Sequence, residues 1–141
     1  MNEVDDHYPR PTTEHAIEVI LARQLSSYLA FPIVIVDPGH IVVYYNEPAE
    51  HMLGRRFDEG GPIPVSEWSR AFEFTDDEGN SIPSSEMPLG IALKEQRIAH
   101  RIVWLRGLDG VNRHWDERAM PLINRQGRFL GAMAMFAELT H

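Results

Sequence analysis

Phe31-Pro32-Ile33-Val34-Ile35-Val36-Asp37-Pro38-Gly39-His40-Ile41-Val42-Val43-Tyr44-Tyr45-Asn46 decides the fold of this chain. It is an apolar β-branched run, a turn, a second β-branched run and a residue suited to open a helix. Ile33 to Val36 reads as a first strand, because β-branched side chains pack well on a pleated surface. Asp37-Pro38-Gly39-His40 carries turn chemistry: Asp at the start, Pro with its φ preset, Gly tolerant of positive φ. Ile41 to Tyr45 reads as a second strand. Asn46 can accept from the free N–H groups of a first helical turn, and Pro48 is tolerated there because those groups lack partners anyway. Ala49, Met52 and Leu53 give this short helix an apolar side, and Gly54 suits its left-handed end.

Downstream the pattern is at first less regular. Glu59-Gly60-Gly61-Pro62 reads as a loop. Val65 to Phe74 is expected to hold a short helix with Trp68 and Phe72 four apart. Asp76 to Asn80 is a turn cluster. Ser84 or Ser85 is expected to cap a helix reaching Gln96 through Met87, Leu89, Ile91 and Leu93, with Pro88 in its first turn. Three strands follow, Ala99 to Arg106, Asn112 to Leu122 and Phe129 to Ala137, joined by turns at Leu108-Asp109-Gly110 and Asn124-Arg125-Gln126-Gly127. The last strand is apolar on both alternating sets: Leu130, Ala132, Ala134 and Phe136 on one, Phe129, Met133 and Met135 on the other. An antiparallel sheet usually keeps one face wet. Here both faces call for cover, and the internal helices can supply only one.

Upstream, residues 1–11 are polar, carry two prolines and lack periodicity, and read as a flexible arm. Residues 12–30 read as an amphipathic helix capped by Thr12 or Thr13. Ile17, Leu21, Leu25 and Tyr28 share one stripe of it. That stripe is expected to dock on the sheet, to pair with a second copy, or both. Residues 31–141 form the expected folded domain.

A chain of 141 residues suits one domain able to bury its own core. It has no cysteine, which excludes disulfides, thiolate metal sites and cysteine nucleophiles. A formal net charge of −8 argues against nucleic acid, where binding rests on phosphate neutralisation. No apolar run approaches the roughly 20 residues of a membrane helix, so no membrane partner is expected. The polar, acidic start is no secretory signal, and a cytoplasmic location is expected. The seven histidines show no paired ligand spacing. Gly60-Gly61-Pro62 lacks the Lys and helix start of a phosphate loop. Ser84-Ser85 is better explained as a cap than as a nucleophile. On the strands, His114, Asp116, Glu117 and Arg118 are the one polar cluster. A small isomerase or hydrolase would need one of them buried at a cleft with a displaced pKa; a closed apolar core favours an interaction module.

This order of elements resembles the PAS family. The resemblance rests on three segments: Phe31 through Gly54, with its strand, Asp turn, strand, Asn cap, helix and Gly; Asp77-Glu78-Gly79-Asn80-Ser81-Ile82-Pro83-Ser84-Ser85-Glu86-Met87-Pro88-Leu89, similar to a linker of many bacterial members; and the meander from Asp109-Gly110 to Glu138-Leu139-Thr140. It spans roughly Tyr28 to Thr140. It implies an α+β fold: a five-stranded antiparallel sheet in order 2-1-5-4-3, helices on one face and an interior cleft. It also implies a non-catalytic sensory or regulatory role in signal transduction, with homodimerisation through the N-terminal helix, a signalling partner or a small ligand. Ile35, Tyr45, Met52, Ile91, Trp104 and Met133 are the residues expected at a ligand cleft; core packing is the plainer reading of the aromatics and methionines. No cofactor is expected. Flavin adducts and thioester chromophores need a cysteine, noncovalent flavin has no supporting residue, and haem would need an axial ligand such as His51 or His100.

Overall fold

The computed structural model of the chain describes residues 30–140. The arm and almost all of the expected amphipathic helix, with Ile17, Leu21, Leu25 and Tyr28, lie outside the described residues. The elements run β1 (Ile33–Val36), β2 (Ile41–Tyr45), α1 (Glu47–Leu53), α2 (Phe57–Gly60), β3 (Ile63–Pro64), α3 (Val65–Ala71) and β4 (Glu73–Thr75). A 3-10 turn (Ser84–Glu86), α4 (Pro88–Glu95), β5 (Ala99–Arg106), β6 (Asn112–Ile123) and β7 (Phe129–Glu138) complete the chain. The strands make one antiparallel sheet in the order β3-β2-β1-β7-β6-β5-β4.

The central five, β2-β1-β7-β6-β5, reproduce the expected order. Two short strands extend the edges, so the sheet has seven strands rather than five. β3 pairs Ile63 and Pro64 with Val42 and Ile41, and β4 pairs Glu73, Phe74 and Thr75 with Arg106, Leu105 and Trp104. Strands of two or three residues are too short to show the alternation by which a sequence reveals them. The same brevity hid α2, whose last turn takes up Glu59 and Gly60 of the expected loop. Neither Ser84 nor Ser85 caps α4: they form the 3-10 turn, and Met87 is the N-cap residue, with no side-chain acceptor to offer.

The opening stretch folds as its residues dictate, with one adjustment. Asp37 Oδ1 accepts the N–H groups of Gly39 at 2.8 Å and Ile41 at 3.0 Å. The left-handed residue of this turn is His40, at φ 66°, and not Gly39. Asn46 Oδ1 accepts from Ala49 N–H at 3.1 Å, capping α1, and from Ile33 N–H at 2.9 Å, while Nδ2 donates to the Phe31 carbonyl at 3.0 Å. One side chain thus ties the helix start to the first strand. Gly54 ends α1 at φ 76°.

Strand alternation sorts the sheet into two faces. Val34, Val36, Val103, Leu105, Trp115, Ala119, Ala132, Ala134 and Phe136 join α1, α3 and α4 in the main core. Aromatic contacts knit it: Trp68 to Phe72 at 5.4 Å, Phe74 to Phe136 at 6.3 Å and Trp115 to Phe136 at 6.2 Å between centroids. Each such pair adds about 0.5–1.5 kcal/mol to the burial of its area. The opposite face carries Ile33 and Ile35 of β1, registered against Met135 and Met133 of β7. Gly131 sits beside the register shift of β6 and β7 at φ 119°, and a Cβ there would strike the Val36 carbonyl, so the close approach of β7 to β1 needs glycine.

Candidate functional site

Glu117 is the one buried Asp, Glu, Lys, Arg or His side chain among the described residues, 1% exposed in an apolar core. β6 puts it there by alternation, between Trp115 and Ala119 on the core face. Its cross-strand neighbours are Arg101 of β5 and Phe136 of β7. Arg101 turns aside, with Nη1 3.4 Å from the Glu86 carbonyl oxygen and 3.6 Å from the Glu86 carboxylate. Burial raises the Glu117 pKa from 4.5 to about 8, against the opposing pull of a hydrogen bond from Leu89 N–H. That N–H belongs to the first turn of α4, where donors have no partner within the helix. Met87 cannot cap the turn, so Glu117 does so from across the sheet.

Two polar atoms in this region have no hydrogen-bond partner: Glu117 Oε1 and Trp68 Nε1. Both residues line the same small pocket, together with Phe74, Met87, Leu89, Gly90 and the exposed Ser84. Its volume is about 20 Å³, enough for one water molecule. Gly90 allows the close fit around it, since a Cβ there would strike the Ser84 carbonyl.

The strand cluster read from the sequence divides between the faces. Glu117 points into the core, and His114, Asp116 and Arg118 lie on the opposite side, as a period of two requires. There His100 Nε2 lies 2.6 Å from Asp116 Oδ1, and Arg118 lies 3.7 Å from Asp116 Oδ2. His114 stacks on Trp104 at 4.1 Å between centroids, and Trp104 Nε1 donates to Asp77 at 3.0 Å. The expected cleft residues divide likewise. Tyr45 and Met52 belong to the main core, Ile35, Trp104 and Met133 fall on the other face by register, and Ile91 is half-buried outside that core. The six do not line one cleft.

His51 is exposed on α1, and His100 is half-exposed and engaged with Asp116 on the far face. Neither reaches the interior, so these residues do not fit a haem held in the core. Among the described residues, no three His, Asp or Glu side chains converge as a metal site would require. None of the described helices is long and apolar enough to cross a membrane.

A second cleft, of about 450 Å³, opens at the end of the sheet where β1 begins. Pro32, His51, Met52, Arg113, Trp115 and Phe136 are among its walls. Trp115 Nε1 and Arg113 Nη1 are buried without hydrogen-bond partners, two donors on one face of β6. This cleft can admit a small molecule offering an acceptor to those donors; the cavity at Glu117 cannot.

No family model matches the sequence, and no curated protein matches it. Solved structures do share its architecture. The PAS domain of BvgS from Bordetella pertussis is similar with a TM-score of 0.61 at 14% identity, over 88% of this chain and 87% of that one. The PAS domain of a protein from Colwellia psychrerythraea gives 0.60 at 15% identity, over 87% and 98%. The LOV protein of Rhodobacter sphaeroides gives 0.66 at 13% identity, over 91% and 69%. At such identities the likeness is one of fold. A curled antiparallel sheet in this strand order, an Asn-capped helix after its second strand and a closing meander make this chain a PAS-type domain in its fold.

Proposed function

We propose that this chain is a non-catalytic sensory or regulatory domain of a cytoplasmic signalling system. It works by binding a second copy of itself, a signalling protein or a small molecule. The observation that carries this reading is the PAS fold itself, spread over 88% of the chain in its likeness to a PAS domain. The rival reading, an isomerase or hydrolase, asked for a cleft-facing acid or base with a displaced pKa. Glu117 meets the pKa condition, but the roughly 20 Å³ beside it leaves no room for a substrate. The cleft at Trp115 and Arg113 supports the small-ligand part of the reading. Ile33 and Ile35 on the opposite face are already buried within the single chain, so the dimer part rests on the expected stripe of Ile17, Leu21, Leu25 and Tyr28.

Light scattering on the full chain and on a form lacking residues 1–26 tests the dimer: twice the chain mass is expected for the first and one chain mass for the second. Equal masses for both forms would end the claim that this segment joins two copies. Native mass spectrometry tests the ligand, with a bound small molecule expected and its loss expected in Trp115→Phe.

A further inference from the structure

We propose that the cleft at the start of β1 is a binding site for an uncharged small molecule that presents a carbonyl oxygen to Arg113 and Trp115. This inference rests on the small-ligand part of the reading above and names the chemical class of that ligand.

A buried N–H group in a folded protein nearly always has an acceptor, and one that lacks it calls for a partner. Trp115 Nε1 and Arg113 Nη1 are two such groups among the described residues, and both side chains line this cleft. Trp115 is only 5% exposed. The two residues stand one period of two apart on the same face of β6, about 7 Å along the strand. An arginine side chain is long enough to close that gap. Indole and guanidinium both donate and neither accepts, whereas a carbonyl oxygen has two lone pairs and can take a bond from each. The Arg113 side chain is 30% exposed, so it has room to turn its free N–H toward a guest.

Charge narrows the class. The guanidinium of Arg113 is not a spare cation, because its Nη2 lies 3.3 Å from the Asp109 carboxylate. Glu138, the cross-strand neighbour of Trp115, adds an exposed carboxylate to the cleft wall, and His51 on the wall is exposed too. An anion would meet the field of Asp109 and Glu138, and a simple ammonium ion would bring no acceptor for the two donors. A neutral amide, ketone or ester satisfies both conditions. Its apolar body has a surface to cover: Phe31 is 39% exposed and stands on the wall with Pro32 and Pro48. The volume of about 450 Å³ lies within the range of small-molecule sites.

The test is nuclear magnetic resonance on the full chain, following the Trp115 indole N–H, which is assigned by its loss in Trp115→Phe. Acetophenone and benzamide are the carbonyl probes; benzoate and benzylamine are charged probes of similar size. Both carbonyl probes are expected to shift the Trp115 resonance along a saturating curve, with Kd values at least tenfold below those of the charged probes. Arg113→Met is expected to weaken acetophenone at least fivefold while the Trp68 and Trp104 indole resonances keep their folded positions. If that variant fails to fold, the order of the four probes on the wild-type chain still decides. Benzoate or benzylamine binding as tightly as the carbonyl probes, or no response of Trp115 to either carbonyl probe, overturns the proposal. The small-ligand reading falls with it only if native mass spectrometry also finds nothing bound.

Discussion

Asn46 and Glu117 are both about 1% exposed, and both stitch a helix start to the sheet. Asn46 does so with a neutral amide at the junction of β2 and α1, and it accepts from two backbone N–H groups while donating to a carbonyl. Glu117 does so with an ionisable group under α4, one bond made and one oxygen unpartnered. The two differ in how completely they are satisfied. A buried polar group whose bonds are complete fixes a geometry; one whose bonds are incomplete makes the geometry depend on conditions. The first half of the sheet is therefore pinned, and the second holds a buried group whose protonation makes its stability depend on pH.

The strongest way to break this comparison is to change pH. The folded chain keeps the Glu117 proton up to about pH 8, and the unfolded chain releases it near 4.5. Between those values the folded form holds one proton more, so this group makes stability fall as pH rises. At about 1.4 kcal/mol per unit the loss approaches roughly 4 kcal/mol across that window. Urea titrations from pH 5 to 8.5 should show the fall, and Glu117→Gln should flatten it and be the more stable protein at pH 8.5. An equal slope in both proteins would assign the effect elsewhere.

Asn46→Ala comes next, because it strands two buried N–H groups and removes the α1 cap. A loss of about 3 kcal/mol is expected, nearly independent of pH, in the urea midpoint. Asp37→Ala removes the same kind of bonds, to Gly39 and Ile41, but at a turn that water reaches. Its loss should be about 1 kcal/mol in thermal melts. Arg56→Ala breaks an exposed pair with Asp58 at 3.0 Å and should shift stability by less than about 0.5 kcal/mol. A larger effect there would show that exposure does not separate these cases.

Much of the pinned half was legible in the sequence. β1 and β2 begin and end where the β-branched runs do, and the roles of Asn46, Pro48 and Gly54 follow from backbone chemistry that is local. Glu117 was visible only as one of four neighbouring polar residues. A stricter use of period two isolates it. Trp115, Glu117 and Ala119 form one set and His114, Asp116 and Arg118 the other, which leaves an acid among apolar positions. Its bond to Leu89 could not be foreseen, since it depends on how α4 packs across β6. The expected cleft failed for the same reason: Ile35 and Tyr45 are both apolar, and only strand register says that they face opposite ways.

The two outermost strands have a consequence for growth. β3 is two residues long and ends in Pro64, which has no N–H to give, and β4 is three residues long, bridged to Ser81 at Thr75. Borders this brief and this poor in donors make bad templates for a foreign strand. Rim-to-rim fusion of copies into a continuous ribbon is therefore disfavoured.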